Sequence, residues 1–329
     1  MKLKRFWAVL VARNLEFFRD RAALGWNIIF PVLLIAGFAF IFGGEQRAKF
    51  KVGLLDGASP LEVRYVDYMN YQNRAQAVKK LSQHQLDLVI GPKSVWYNPE
   101  SAGSYLALKV FDSLLSDKEK REVKGKKVRY VDWVLPGILG MNLMFSSLFG
   151  VGYVIVRYRK NAVLKRLYAT PLGALEFVSA QLVSRLFIVF SLTALIYMGC
   201  DRVFDFVMVG RYTDLVVVTL LGALCLIALG LLVASRSHSE ELTGGLLNLV
   251  SWPMMLLSGV WFSLEGAPQS VHWFAQLLPL THLVQGARAI MLDGASLMEI
   301  STQLLWLGGM TIVFLLAGAG LFKWQSETR

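Results

Sequence analysis

A short basic segment, residues 157–172 with the sequence RYRKNAVLKRLYATPL, lies between two long hydrophobic stretches. Its charged side chains are all cations, and no Asp or Glu opposes them; they are Arg157, Arg159, Lys160, Lys165 and Arg166. Short loops rich in Lys and Arg stay on the cytoplasmic side of a membrane, so this segment predicts the orientation of the chain. Residues 162–168 are compatible with a helix that ends at Thr170 and Pro171. We expect a short helix along the membrane surface, placed to receive force from a cytoplasmic partner.

Polar side chains inside hydrophobic stretches are the next candidates for function, because they are costly there. Arg185 follows Gln181 by about one helical turn within the third hydrophobic stretch. Both residues are candidates to line a pathway or a helix interface, and the alternative for Arg185 is that it reaches the lipid headgroups along its aliphatic stem. Asn142 and Asn248 are predicted to be buried amides that line a pathway or bridge helices, and bridging is the favoured role.

The sequence lacks the motifs of nucleotide hydrolysis and of common hydrolases. There is no GxxxxGK[ST] phosphate-binding loop, and GPKS at 91–94 and GKK at 125–127 lack its spacing. HExxH, GxSxG and Cys/His clusters are also missing, and the four histidines are scattered. We therefore expect no catalytic residues, no metal site and no cofactor bound by this chain.

The composition is that of an integral membrane protein. Hydrophobic residues make up 55% of the 329 residues, and the mean hydropathy is +0.49. The formal net charge of +11 would suggest nucleic acid in a soluble domain, but here much of it flanks hydrophobic stretches, where it sets topology and meets anionic lipid. The sequence therefore favours membrane lipid as a partner and excludes nucleic acid. Two cysteines, Cys200 and Cys225, give neither a metal spacing nor a disulfide framework.

Six hydrophobic stretches approach the ~20 residues that a membrane-spanning helix needs. They are residues 24–42, 134–156, 177–199, 215–234, 244–262 and 302–322. The arm at 1–23 carries six basic and two acidic residues, with aromatic and charged residues at helical spacing. This pattern predicts an amphipathic interfacial helix on the cytoplasmic side. An even number of spans then places both termini in the cytoplasm.

Residues 43–133 form a polar region that this orientation places outside the cytoplasm. Strands are predicted at 50–55, 62–68, 86–90 and 95–97, and helices at 75–83 and 105–115. We therefore expect a small, separately folded α+β domain inserted between the first two spans. The remainder, 134–329, is expected to hold spans two to six, with a coupling loop at 157–175.

The segment at 263–301 precedes the last span and is apolar with one polar face. Polar residues recur there every three or four positions, and they are His272, Gln276, His282, Gln285 and Arg288. We expect two short helices broken near Pro279 that form a re-entrant hairpin in the outer leaflet, since a polar face is tolerated there only where protein covers it.

Four segments, in this order, resemble the permease subunits of type-2 ATP-binding-cassette (ABC) exporters of the drug and lipid export branch. The resemblance covers nearly the whole chain, and the segments are FFRDRAALGWNIIFPVLL at 17–34, VLPGILGMNLMFSS at 134–147, VLKRLYATPL at 163–172 and SGVWFSLEGAPQSVHWFAQLLPLTHLVQGARAIMLDG at 258–294. One departure is Asn161-Ala162, where many members carry an acidic residue and a glycine.

The resemblance implies a six-helix half-transporter in a bacterial cytoplasmic membrane. Its partners would be a second copy or a paralogue, two separately encoded ATPase subunits that use ATP and Mg²⁺, and a periplasmic accessory protein. An amphipathic drug, a lipid or a glycan would be the cargo. The implied coupling residues are Lys165, Arg166, Leu167, Thr170 and Pro171. The implied residues of the outer hairpin are Trp261, Phe262, Trp273, Phe274, Pro279, His282 and Arg288, whose aromatic members would shape the exit or simply anchor the hairpin at the lipid interface.

A different class of protein fits the same features without the resemblance. A membrane-anchored sensor or assembly factor would use the 43–133 domain to bind a ligand and the basic loop to bind a cytoplasmic partner. The two alternatives differ in whether the bound partner is an ATPase.

Overall fold

The structure is a computed structural model that describes residues 3–42, 50–60, 66–115, 118–123, 128–163, 166, 173–235, 237, 239–264 and 267–321. Two units make up the chain. The first joins Met1–Phe40 to Val131–Arg329 and consists of helices, whereas the second, Ile41–Tyr130, is built around a β-sheet.

Nine described helices build the first unit, and hydrophobic side chains dominate most of them. They are α1 (Leu3–Arg19), α2 (Arg21–Phe42), α5 (Tyr130–Lys160), α6 (Ala174–Phe204), α7 (Tyr212–Ala234), α8 (Glu240–Leu257), α9 (Gln269–Gln276), α10 (Pro279–Asp293) and α11 (Ser301–Leu321). The helices α3 and α4 belong to the second unit.

Four helices in the described part of the chain are long and apolar enough to cross a membrane: α5, α6 from Glu176 onwards, α7 and α11. A fifth candidate is the bent pair Lys4–Arg19 and Leu24–Phe40, whose axes differ by 62°. The bend follows Asp20, which separates the polar-faced α1 from the apolar α2. The chain is thus a multi-pass membrane protein with four or five candidate spans, whereas the sequence predicts six.

The difference arises at the predicted fifth span, 244–262. Helix α8 begins earlier, at Glu240, and ends at Leu257, so it is only 18 residues long and starts with two glutamates. Beyond it the chain turns at Gly259, which adopts a positive φ of 69° that glycine accepts without strain. Two helices then follow, α9 and α10, and the break between them falls directly before Pro279, where the sequence predicts it.

Glycines let the helices of the first unit approach closely. A Cβ on Gly137 of α5 would lie 2.6 Å from the carbonyl oxygen of Val260, and one on Gly230 of α7 would lie 3.0 Å from that of Leu148. Small residues at helix contacts are typical of membrane bundles, where close van der Waals packing drives association. Helix α5 is the most buried of the four candidate spans, and 20 of its residues are buried.

The second unit holds a five-stranded mixed sheet with the strand order β2-β1-β3-β4-β5. The strands are β1 (Phe50–Leu55), β2 (Val66–Tyr71), β3 (Leu88–Ile90), β4 (Ser94–Tyr97) and β5 (Glu119–Glu122). β1 pairs in parallel with β2 and β3, β3 is antiparallel to β4, and β4 is parallel to β5.

Helices cover both faces of this sheet. Helix α3 (Arg74–Ser82) packs Ala77 and Leu81 against Val89 on one face, whereas Ala107 of α4 (Ala102–Val110) packs with Val52 and other residues on the other. Alternate residues of a strand point to opposite faces, so each face has an apolar core of its own. A short 3-10 helix, Asp112–Leu114, follows α4.

Candidate functional site

The predicted coupling segment begins where α5 ends. Asn161 and Ala162 form a turn in which Ala162 adopts a positive φ of 54°, a left-handed conformation that costs an alanine about 1–2 kcal/mol. The backbone N–H of Arg166 donates to the carbonyl oxygen of Ala162 at 3.0 Å, and the Arg166 side chain is exposed. The other predicted coupling residues, which are Lys165, Leu167, Thr170 and Pro171, lie outside the described residues.

Arg159 joins the end of α5 to the end of α7. Its guanidinium donates to the carbonyl oxygen of Ala234 at 3.3 Å, to that of Ser235 at 3.1 Å, and to that of Ser237. The last carbonyls of a helix lack intrahelical partners and carry partial negative charge, so a cation there satisfies both needs. Lys160 lies 4.0 Å from Glu240, which adds a weaker link to the start of α8.

Arg13 of α1 joins three helices. It is only 8% exposed, and its Nε donates to Gln181 Oε1 of α6 at 2.8 Å. Its Nη1 donates to Glu16 Oε2 at 2.5 Å and to the Tyr158 hydroxyl of α5 at 2.9 Å. The Tyr158 hydroxyl itself donates to Glu16 Oε2 at 2.5 Å, so the four side chains form a connected polar network.

The contacts of Arg166, Arg159, Lys160 and Arg13 lie at one end of the helical unit, which we call the basic end. It comprises the end of α5 with Arg166, the start of α6, the end of α7 and the start of α8, together with Arg13 of α1. At the start of α6, the Glu176 carboxylate accepts a hydrogen bond from the Gly173 backbone N–H at 3.1 Å and so caps the helix. The two helices that flank the coupling segment are therefore both held to their neighbours.

Arg185 lies deeper in the same unit and does not reach outwards to solvent or lipid. Its side chain is 8% exposed, and its Nε donates to the carbonyl oxygen of Ser146 on α5 at 2.9 Å. The guanidinium carbon lies 5.4 Å from the centre of the Phe17 ring of α1, a cation–π distance. Ser146 in turn donates through its hydroxyl to Asn27 of α2. Arg185 thus bridges helices, so it lies at a helix interface, one of the roles for which it is a candidate, and does not reach the lipid headgroups.

Comparison with known protein families identifies the family to which the chain belongs. A family model described as "ABC-2 family transporter protein" matches residues 21–319, which is most of the chain. The chain belongs to the ABC-2 transporter family. A curated relative, ABC transporter G family member 20 of Dictyostelium discoideum, is 22% identical over 246 residues. That match covers 71% of this chain and 30% of the relative, so the chain spans less than a third of that protein's length.

This ABC-2 protein is accordingly a membrane-spanning transport component, of the permease type. Arg166 at the basic end belongs to the stretch 163–172, whose sequence resembles the coupling loop of the family.

The hairpin of this ABC-2 protein, α9 and α10, has both exposed and buried predicted residues. Phe262, Trp273 and Phe274 are more than half exposed, whereas Trp261 stacks on Phe38 of α2 with ring centres 5.5 Å apart. Pro279 is buried at the first position of α10.

His282 and Arg288 fix α10 in place. The imidazole of His282 is buried, its Nε2 lies 2.7 Å from the Gln276 carbonyl oxygen, and its ring stacks on Trp306 of α11. Arg288 donates to the carbonyl oxygens of Trp133 at 3.1 Å and Gly259 at 3.0 Å, and it lies 3.8 Å over the Trp133 ring. Both predicted residues therefore hold the hairpin onto the bundle.

The two asparagines differ from each other. Asn142 is buried in α5, as the sequence predicts, whereas Asn248 is exposed on the single chain and not buried by its own helices as predicted. The reason is that α8 packs through Leu247, which contacts the bundle beside Gly152, and the adjacent position therefore points away.

Sequence reasoning missed the partners that build the basic end. Arg13 and Arg159 were recognised as basic residues of the arm and loop, but neither was predicted to bind a helix end or a side chain of another span. A signal existed for Arg13 alone, since it lies on the amphipathic α1 at i, i+3 from Glu16.

Proposed function

We propose that this chain is the permease subunit of an ATP-driven ABC exporter that works as a dimer with separately encoded ATPase subunits. The ATPases bind ATP and Mg²⁺, and their closure pushes on the coupling segment, the predicted helix at 162–172 within the coupling loop at 157–175. The cargo is an amphipathic drug, a lipid or a glycan. The chain resides in a bacterial cytoplasmic membrane with both termini in the cytoplasm, and an accessory protein on the periplasmic side binds the 43–133 domain.

The chain belongs to the ABC-2 family, and the observation that carries the proposal is the set of hydrogen bonds that join helices at its basic end. The coupling segment leaves α5 next to Arg159 and enters α6 at the capped Gly173. A force applied to this segment acts directly on both helices. Because Arg159 binds the end of α7 and Arg13 links α1 to α5 and α6, the displacement is passed to four helices rather than absorbed by one.

The exposed face of α8 supports a pathway between two copies. It presents Asn248 among exposed apolar side chains that include Leu249 and Trp252. An amide that faces lipid finds no hydrogen-bond partner there, which is costly, whereas a second copy or a hydrated pathway supplies one. A pathway of this kind, apolar with few charges, suits amphipathic cargo.

The orientation rests on the charge of the basic end. Arg157, Lys160 and Arg166 have exposed or partly exposed side chains there, and positive residues in short loops stay in the cytoplasm. Both ends of the 43–133 domain then lie on the opposite side, because one span precedes it and α5 follows it.

The experiment that tests the proposal is capture of the tagged full chain from gently solubilised native membranes, followed by mass spectrometry and an ATPase assay. We expect a phosphate-loop ATPase in roughly one-to-one ratio with the chain and ATP hydrolysis by the complex. A partner set without an ATPase, bound independently of ATP, would refute the exporter and support the sensor or assembly factor. A captured complex of the Lys109→Glu variant, altered on the exposed face of α4 far along the chain from the basic end, serves as the control and should retain the ATPase.

A further inference from the structure

A cavity of about 380 Å³ lies within the helical unit, between α5, α6, α7 and α10. Its walls are almost entirely apolar and include Leu139, Leu143, Phe190 and Leu283. It opens to the surface beside Met198 and Val216, which are 52% and 39% exposed. Small-molecule sites have volumes of about 300–1,000 Å³ with apolar walls and few polar groups, so this cavity is of that size and kind.

Apart from Thr193 and Thr219, the polar side chains that line the cavity are gathered at one end. Tyr197 and Asp201 lie one helical turn apart on α6, and Tyr212 begins α7 opposite them. The rings of Tyr197 and Tyr212 meet edge to face, with centres 6.3 Å apart and planes inclined at 70°. They form two walls of an aromatic corner.

Two polar groups of this corner, the Tyr197 hydroxyl and the Asp201 carboxylate, are not fully paired within the described part of the protein. The buried Tyr197 hydroxyl makes no hydrogen bond of good geometry to a described group, although Tyr212 is its close neighbour. The Asp201 carboxylate accepts the backbone N–H of Phe206 at 3.2 Å, and it has no ion-pair partner among the described residues. Arg202 and Arg211, which lie close to it along the chain, are both exposed.

An unpaired carboxylate beside two tyrosine rings is complementary to one kind of chemical group. Ammonium groups are attracted to the faces of aromatic rings and, by charge, to a carboxylate. The apolar remainder of the cavity suits a hydrocarbon or ring system attached to that group. We infer that the cavity binds an amphipathic cation, with its ammonium group at Tyr197, Asp201 and Tyr212 and its apolar part between α5 and α7.

This site is separate from the basic end and from the α8 face of the proposed pathway. Binding at it requires neither an ATPase nor a second copy, so its test is independent of the proposed function.

The test measures binding of radiolabelled decyltrimethylammonium, below its micellar concentration, to the purified full chain in phosphatidylcholine nanodiscs. Empty nanodiscs correct for partition into lipid. We expect saturable binding that 1-decanol and decyl sulfate displace poorly, because neither carries a positive charge. Equal displacement by 1-decanol would show that any apolar chain occupies the cavity and would overturn the proposal.

The decisive variant is Asp201→Asn, which removes the charge but keeps an oxygen that can accept the Phe206 N–H. We expect the dissociation constant to rise at least about tenfold, since the variant loses the attraction between the carboxylate and the ammonium group. Unchanged affinity for decyltrimethylammonium in this variant would also overturn the proposal.

A matched pair of variants tests the cavity itself. Ala194→Phe places a ring inside the cavity, whereas Leu195→Phe places the same ring at the next position, whose side chain is 53% exposed and does not line the cavity. We expect saturable binding to be lost in the first and retained in the second. Equal binding of decyltrimethylammonium by both variants would contradict the site. If Ala194→Phe fails to elute as a single species, the affinity of Asp201→Asn decides between the two outcomes.

Discussion

Gly150 of α5 lies directly under the guanidinium of Arg185 of α6. A Cβ on Gly150 would overlap Nη2, Nε and the guanidinium carbon of Arg185, so only glycine leaves room for that group. The absence of a side chain at 150 is what allows Arg185 to reach the carbonyl oxygen of Ser146. A charged residue is thereby accommodated between helices, where it ties α5 to α6.

Replacement of Gly150 by alanine should displace Arg185 and break its hydrogen bonds. We expect the free energy of unfolding to fall by about 2 kcal/mol, because a buried cation loses its acceptor. The measurement is the apparent Tm by fluorescence-detected size exclusion in detergent. Gly308→Ala is the control, since a Cβ there meets no atom within 4 Å. Equal midpoints for the two variants would contradict the packing of Arg185 on Gly150.

Arg13→Met should weaken the contact of α1 with α5 and α6. The variant leaves Gln181 and Tyr158 without their common donor, and Glu16 without its cation, so we expect a loss of about 2 kcal/mol in stability, measured as the apparent Tm. The matched variant Arg19→Met changes an exposed cation of the same helix and should stay within about 0.5 kcal/mol of the native protein. A similar loss in both would show that the network contributes nothing specific.

Arg166→Glu should uncouple ATP hydrolysis from transport without unfolding the helices. The side chain is exposed at the coupling segment, and its reversal repels an acidic ATPase surface. We expect transport and ATPase stimulation to fall at least about tenfold while the elution profile stays native. Native transport by this variant would rule out the role of Arg166, and Lys109→Glu, the exposed reversal on α4, should leave transport intact.

Asn248→Cys should crosslink two copies of the chain in native membranes. Asn248 is exposed on α8, the face proposed to meet the second copy, whereas the native Cys200 and Cys225 are buried. A membrane-permeant bis-maleimide should give a dimer band on a denaturing gel. Leu316→Cys, which is 71% exposed on α11, should give far less, and the opposite order would move the dimer interface to α11.

Asp87 should make the sheet unit less stable as the pH rises above about 4. Burial raises the pKa of its carboxyl above 3.8, an effect that the hydrogen bond from the Lys51 N–H and the charges of Lys51 and His84 oppose. Because the raised pKa belongs to the folded state, the folded unit binds the proton more tightly than the unfolded chain does. The contribution of Asp87 to the free energy of unfolding is therefore most favourable below pH 3.8 and falls as the pH rises through the folded-state pKa.

Asp87→Asn removes this dependence, and its amide oxygen can still accept the Lys51 N–H. Hydrogen-exchange mass spectrometry on the full chain should show that peptides covering β3 exchange more slowly in the variant than in the native protein at pH 7.5, with a smaller difference at low pH. Asp67→Asn, at an exposed position of β2, should not change the exchange of β3. Faster exchange in Asp87→Asn at pH 7.5 would contradict the sign of this argument.

The helical elements follow largely from local sequence patterns. The apolar stretches begin and end within a few residues of α2, α6, α7 and α11, because hydrophobic length is a property of the sequence itself. The break before Pro279 is equally local, since proline has no N–H for a continuing helix. The strand β5 was missed because its sequence, EKRE, is exposed along its length and shows no apolar alternation.

The contacts at the site depend on pairs of residues that are distant in the sequence. Arg13 and Tyr158 are 145 positions apart, and Arg159 and Ala234 are 75 apart. A single sequence shows the cation but not its acceptor, which for Arg159 and Arg185 is a backbone carbonyl that every residue possesses. The same limit explains Asn248, because hydropathy identifies a span without identifying the side on which its neighbours lie.

The hydrogen bonds of Arg159 have a mechanical consequence. The Arg159 side chain binds the carbonyl oxygens of Ala234, Ser235 and Ser237. It therefore ties the connection between α7 and α8 to α5. This connection is then rigid with respect to α5, and bending is left to connections that no such side chain ties to a neighbouring helix. The 62° bend between α1 and α2 is one such place, whereas the turn at Gly259 that leads out of α8 is tied to α5 by Arg288. A thrust on the coupling segment would consequently be felt as rotation at the bend between α1 and α2 rather than as compression of the helices.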